Sequence, residues 1–293
     1  MTDSFTRRAF LRGSTLLLAG SALSGQCVLA EVATATPKLR IGLIPDLHYA
    51  DKPPAGTRFY RETPGKLDKA IDQFSRDKVD FTVELGDLVD AAKSVEDETG
   101  YLKTINTQLA KIPGDRHYVL GNHCVQTLTK EEFLAGIERE KSHYSFDAAG
   151  WHFVVLDACF NSDGEPYGRN NFTWTDANVP ASQLQWLEAD LKKSEGKAIV
   201  FVHQRLDAAK QHCVKNAEGV RKVLEGSGEV AAVFQGHSHQ NDLQDIAGIH
   251  YCTLAAMVEG SGEKKNAYAR LDVLPGGALR VEGFVRQKAY TFG

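Results

Sequence analysis

No CxxC pair occurs in this chain of 293 residues, and its five cysteines, Cys27, Cys124, Cys159, Cys213 and Cys252, lie far apart. That spacing excludes a disulfide framework and argues against a thiolate zinc site, while a single disulfide with unspecified partners stays allowed in an oxidising compartment. No long basic run stands outside the N-terminus and the net charge is −4. Nucleic acid is therefore not the expected partner, whereas small anionic molecules stay open. No Pro- or Ser-rich linker divides the chain and no repeat appears, so a single domain is expected after the N-terminal segment. The weakly apolar stretch near residues 14–30 is diluted by Gly and Ser and short for a span; no stable membrane anchor is expected. With 42% hydrophobic and 25% charged residues, the remainder has ordinary material for a core.

The N-terminal segment "TRRAFLR", with Arg7 and Arg8 ahead of Phe10 and Leu11, resembles the bacterial twin-arginine export signal. Ala30, Ala33 and Ala35 offer cleavage positions. Residues 1–35 are read as the signal and 36–293 as the mature domain. The resemblance implies export to the periplasm and the twin-arginine machinery as a partner. A basic amphipathic helix is the alternative, but the apolar run has no helical period. In "LSGQC", Gln26 stands where a lipoprotein signal needs a small residue, so lipidation is not expected.

From Leu39 onward, short apolar runs alternate with helical patterns. "LRIGLIPD", "VDFTVELGD", "RHYVLGNH", "WHFVVLDA", "KAIVFVHQ" and "VAAVFQGHSH" read as strands. "PGKLDKAIDQFSRDK" spaces Leu67, Ala70, Ile71 and Phe74 helically after a proline start. "LTKEEFLAGIERE" offers Thr129 as a cap with Glu132 three residues on. The pattern implies an α/β fold. The tail "GIHYCTLAA", "AYARLDVLP" and "GALRVEGFV" reads as consecutive strands, expected to build a second sheet. Residues 160–180 form one long irregular stretch, the mark of a lid or binding loop.

Polar residues gather at the strand ends: Asp46 and His48, then Asp87 and Asp90, then Asn122 and His123, then His203, then His237 and His239. In open α/β sheets the site lies beyond these ends. Residues i and i+2 of an extended segment leave on the same side, so Asp46 with His48, and His237 with His239, aim into one cleft. Carboxylate, imidazole and amide oxygen suit Mn, Fe, Zn or Co. Gly86, Gly121 and Gly236 precede three of these turns and allow close approach. Singly, each item fits a buried core histidine or an ordinary turn; in series they point to one metal-bearing cleft. His152 and His250 fall within strand patterns and read as structural, and His117, His143 and His212 as surface or local residues.

The series "DLH", "GDLVD", "GNH", "H" and "GHSH" resembles that of the calcineurin-like metallophosphoesterases. The resemblance implies two mixed β-sheets packed as a sandwich flanked by helices, with two divalent ions. Asp46, His48, Asp87 and His239 would hold one ion; Asn122, His203 and His237, with Asp87 bridging, would hold the other. His123 would serve as the acid over the substrate, with Asp90 hydrogen-bonded to it. Two ions about 3.5–4 Å apart can activate water and clamp a phosphoryl group, with no serine or cysteine nucleophile. Asp90 stands where purple acid phosphatases carry a metal-binding Tyr, and Ala91 and Ala92 where protein phosphatases have Arg-Gly; neither subfamily is expected. "GLIPDLHYADKPPAGTRFYRETPGKL" is similar to the opening of the Mn-dependent ADP-ribose/CDP-alcohol diphosphatase group, which has Gln where His48 stands. It implies that Arg58, Tyr60 or Arg61 holds an anionic, small phosphoester or nucleotide-like substrate; a solvated loop is the other reading. Monoesterase, diesterase or diphosphatase activity, and a metal-free scaffold on the same fold, are the functional alternatives. Cys124 reads as a packed residue facing away from His123.

Overall fold

The computed structural model describes residues 35–169, 171–208 and 211–293; the expected export signal lies outside them. In chain order the first half holds β1 (Leu39–Ile44), α1 (Thr63–Asp77), β2 (Phe81–Glu84), α2 (Val95–Leu109), β3 (Asp115–Tyr118), α3 (Lys130–Gly136), β4 (Tyr144–Ala148) and β5 (Trp151–Val155). The second half holds α4 (Ala181–Leu191), β6 (Ala198–Phe201), α5 (Ala217–Ser227), β7 (Val230–Gln235), β8 (Asp242–Ile246), β9 (Ile249–Thr253), β10 (Ala267–Val273), β11 (Leu279–Val285) and β12 (Tyr290–Phe292). One six-stranded sheet runs β12-β11-β10-β1-β2-β3 and the other β4-β5-β6-β7-β9-β8. Both are mixed: β1, β2 and β3 pair in parallel while β10 joins β1 antiparallel, and β5, β6, β7 and β9 are parallel between antiparallel β4 and β8.

Alternation along the strands sorts the side chains into layers. Leu39, Ile41 and Leu43 of β1 meet Phe153, Phe201 and Phe234 of the other sheet in the central core. Ile44 of the same strand joins Leu67, Phe74 and Leu102 under α1 and α2. Val200 and Val233 face Leu187 and Val220 of α4 and α5. The result is an α/β sandwich of two mixed sheets with helices outside both. At Gly42 a Cβ would lie 2.7 Å from the Phe74 ring, so α1 sits closer to β1 than any larger residue allows. α1 starts with proline in its first turn, and α3 carries the Thr129–Glu132 capping box. Among the described residues, no helix is long and apolar enough to cross a membrane.

The tail does not build a sheet of its own. β8 and β9 complete the sheet of β4–β7, and β10–β12 return to the sheet of β1–β3. Pairing of β10 with β1 buries Leu271 and Ala269 in the central core, which a separate sheet would leave uncovered.

Candidate metal centre

The turns after β1, β2, β3, β6 and β7 converge at one end of the sandwich. Asp46, His48, Asp87, Asn122, His203 and His237 are all buried there. Five of the ten non-glycine residues with positive φ among the described residues are Asp46, His48, Asp87, His237 and His239, at 46–64°. Such backbone costs about 1–3 kcal/mol per residue and persists where surroundings enforce it. The glycines ahead of three turns enforce it by shape. A Cβ on Gly86 would lie 2.4 Å from His203 Nδ1, on Gly121 2.1 Å from the Asp87 backbone nitrogen, and on Gly236 2.5 Å from Asp46 Oδ2. Each turn is thus seated against a polar residue of another.

Hydrogen bonds fix the imidazoles. His48 Nδ1 donates to Asp90 Oδ2 at 2.8 Å, His239 Nδ1 to Glu259 Oε1 at 2.6 Å, and His203 Nδ1 to the Leu85 carbonyl at 2.8 Å. With Nδ1 the donor, the neutral rings of His48 and His239 leave Nε2 as a lone pair. The Nε2 atoms of His48 and His239 face each other at 3.1 Å. Asp87 Oδ2 stands 3.4 Å from His48 Nε2 and 3.0 Å from His203 Nε2. Asp46 Oδ1 lies 3.5 Å from His239 Nε2 and accepts from the His237 backbone N–H at 3.0 Å. Asp46 Oδ2, Asn122 Oδ1 and His237 Nε2 are buried without a hydrogen-bond partner.

The electrostatics follow from burial. Burial lowers the His48 pKa to about 3 against the pull of Asp87, and holds His237 well below its usual value. Burial also raises Asp46. Burial would raise Asp87 too, but His203, His123 and His48 outweigh it and hold the carboxyl well below its usual range. Burial disfavours the charged form of His203, yet Asp87 prevails and lifts it to about 9. The opposed lone pairs of His48 and His239 and the orphaned atoms of Asp46, Asn122 and His237 repel or go unsatisfied unless a cation lies among them. Asp46, His48 and His239 form one group with ligand atoms in mutual reach, and Asp87, His203 and His237 another. The residues fit divalent metal.

Around this core the expectations divide. His123 is placed beside the site, with its backbone N–H on Asp87 Oδ1 at 2.7 Å and its side chain 19% exposed. Its Nδ1 is 3.6 Å from Asp90, beyond a hydrogen bond; Asp90 bonds His48 and Lys52 instead. The expected Asp90–His123 hydrogen bond is therefore replaced, because the left-handed turn at His48 brings that ring closer. Arg58 reaches the site, its Nη1 3.4 Å from both His123 Nε2 and Asp90 Oδ2. Tyr60 does not present itself to a substrate: it is buried with Ala50, Ala256 and Val258, under Lys52 Nζ at 4.4 Å from its ring. Arg61 pairs with Asp51 at the surface, 2.6 Å away. His212, expected to be local, lies beside His237 with ring centroids 5.3 Å apart. His152 and His250 are structural, bound to Asp147 and Asp190 and to Asp245 respectively. Cys124 is buried in the helix-side core, and burial pushes its thiol well up, away from thiolate.

Glu259 and Lys52 were not singled out from the sequence. Glu259 follows the apolar "AAMV", and an acid directly after such a run was its one visible signal.

The sequence model of the calcineurin-like phosphoesterases matches residues 39–241. A manganese-dependent ADP-ribose/CDP-alcohol diphosphatase from Arabidopsis thaliana is 25% identical over 275 residues, covering 78% of this chain and 88% of that protein. The enzyme of the same name from Danio rerio is 26% identical over 285 residues, covering 76% and 88%. The crystal structure of a dimetal phosphatase from Danio rerio superposes with a TM-score of 0.77 at 24% identity, covering 87% of this chain and 99% of that one. With strand-end acids and imidazoles converging at one end of such a sandwich, this chain belongs to the calcineurin-like phosphoesterase family of metal-dependent hydrolases.

Proposed function

We propose that this protein hydrolyses phosphoric esters or anhydrides of small nucleotide-like molecules with two divalent ions. Asp46, His48, Asp87 and His239 would hold one, and Asp87, Asn122, His203 and His237 the other. The observation that carries this reading is Asp87 Oδ2 standing between His48 Nε2 and His203 Nε2 at 3.4 and 3.0 Å. When bound, such ions supply Lewis acidity and lower the pKa of water. Manganese is favoured by the names of the curated relatives.

The chain's own residues do the rest. Asp90 and Glu259 hold the tautomers of His48 and His239, so both rings keep Nε2 free. Arg58 and Lys52 place positive charge at the cleft mouth, where phosphate oxygens arrive. His123, partly exposed beside Arg58, is placed to give a proton to the departing oxygen. The buried Cys124 takes no part.

A diphosphate is preferred over a monoester, because Arg58 and Lys52, gathered at Asp90, bring positive charge for a second phosphoryl group beside the reacting one. The relatives act, by name, on ADP-ribose and CDP-alcohols. The proposal includes export, supported by "TRRAFLR" alone; Arg7→Lys with Arg8→Lys should leave the protein in the cytoplasmic fraction. The test of activity is a panel of monoester, diester and nucleoside-diphosphate substrates with Mn, Zn, Co and Fe. Asp87→Asn should abolish turnover. A wild type inactive with every metal, or a variant as active as the wild type, would overturn the reading.

A further inference from the structure

Trp174 and Val285 are the large apolar side chains exposed among the described residues, and Trp174, at 37%, lies at the site. Its ring centroid is 5.9 Å from His237 and 5.4 Å from His212. The loop that carries it is tied down on both sides. Tyr167 Oη donates to the Thr173 carbonyl at 2.6 Å, and the Asp176 N–H donates to the same carbonyl at 2.8 Å. Asp176 Oδ2 accepts from Ser162 N and Oγ, each at 3.1 Å. The indole is thus held out by an anchored loop, which leaves apolar area in water at a cost that packing inward would remove.

The two ends of the cleft differ. Around His123 stand Arg58, Asp90 and Phe172, whose ring is 5.9 Å from the imidazole. Around His237 stand Trp174 and His212, with the His212 Nδ1 buried and unpartnered. In the proposed hydrolysis, water oxygen bonds to phosphorus and the bond from phosphorus to the departing oxygen breaks. That oxygen takes its proton from His123, so the leaving group exits at the cationic end. The attacking water takes the side opposite the departing oxygen, and a substituent retained on the same phosphorus lies off that axis, where it can turn toward the His237 side on which Trp174 stands.

We infer that Trp174, backed by His212, is the stacking surface for a planar group on the retained arm, such as a nucleobase. It makes the enzyme select nucleoside diesters or diphosphates over esters without such an arm. This rests on the phosphoesterase reading above. Base–aromatic stacking of this kind is sequence-tolerant and changes affinity about ten- to hundredfold.

The test uses two esters with one leaving group: the p-nitrophenyl ester of thymidine 5′-monophosphate and methyl p-nitrophenyl phosphate, with the metal-loaded full chain. Trp174→Ala should raise KM for the thymidyl ester about tenfold or more and leave kcat/KM for the methyl ester within about twofold. Trp174→Phe should recover most of the difference. Equal loss on both esters, no loss on either, or a wild type that favours the methyl ester overturns the inference while leaving the phosphoesterase reading intact. A wild type that hydrolyses neither ester nor any member of the wider panel removes both.

Discussion

Gly121→Ala should disable the site while leaving the sandwich folded. A Cβ at this position would lie 2.1 Å from the Asp87 backbone nitrogen, 2.3 Å from its Oδ1 and 2.9 Å from its Cα. The nearest of these falls more than 1 Å short of an ordinary contact at 3.4 Å. Two of the three atoms are backbone, so no rotamer change relieves the clash, and the Asp87 turn must move by about an ångström. Overpacking of this kind costs about 1–3 kcal/mol of stability. Misplacement of a reacting group by about 1 Å costs about 10²-fold in rate, or roughly 2.7 kcal/mol of barrier. Asp87 carries the carboxylate oxygen between His48 and His203, so metal affinity should fall as well. The assay is metal content by atomic emission after gel filtration, with kcat/KM on the best substrate and a thermal melt. Gly236→Ala is the comparison: the three atoms nearest its Cβ all belong to the Asp46 carboxylate, side chain rather than backbone, so its loss should be smaller. Wild-type activity and metal content in Gly121→Ala, or a larger loss in Gly236→Ala, would refute the reasoning.

Cys124→Ser should keep metal content and turnover, since the thiol is buried in the helix-side core and held neutral; its cost is stability, about 1–3 kcal/mol for a buried hydroxyl, read by urea denaturation. Asp157→Asn should cost about 3–5 kcal/mol, because it leaves Lys130, 2.5 Å from Asp157 in a buried pair, uncompensated beneath the Phe160–Pro180 loop. His152 is clamped between Asp147 and Asp190 at 2.7 and 2.9 Å. Burial opposes its charge, but the two carboxylates prevail and raise its pKa above the ordinary 6.5. Its contribution is therefore complete below pH 6.5 and is lost as pH rises through the raised native value. The stability lost in His152→Gln, compared with wild type by urea midpoint across pH, should be largest in acid and shrink upward; a cost independent of pH would contradict the assignment.

The strand-end residues were legible because their positions rest on local rules. Each follows an apolar run and the glycines mark where turns crowd together, but Asp46 with His48 and His237 with His239 are aimed by left-handed turn backbone rather than by the expected strand alternation. What was not legible depends on pairing between distant segments. β10 could be recognised as a strand, but nothing in "AYARLDV" says that it zips onto β1 rather than a neighbour of its own. Glu259 reaches His239 only because β9 lies beside β7 and delivers the following loop there. The division between Arg58 and Arg61 was equally hidden. An isolated bridge from Arg58 to Glu259 aligns the first with the site, while the short 3-10 turn from Tyr60 to Glu62 carries the second outward to Asp51. Which imidazole Asp90 meets turns on less than an ångström of separation, 2.8 Å to His48 against 3.6 Å to His123, finer than any spacing rule.

The polar residues of the site come from both sheets. Asp46, Asp87 and Asn122 extend from one, and His203, His237 and His239 from the other. Within each sheet, neighbouring strands are zipped by directional hydrogen bonds. Between the sheets the central core is hydrocarbon on hydrocarbon, close-packed but without directional bonds. At the end that carries the site the seam is latched by His203 to the Leu85 carbonyl and by the His237 N–H to Asp46. Ions held across that latch would act as a clasp, turning the sandwich's resistance to shear into a gauge of metal supply, by the same mass action through which any ligand of the folded state raises its stability.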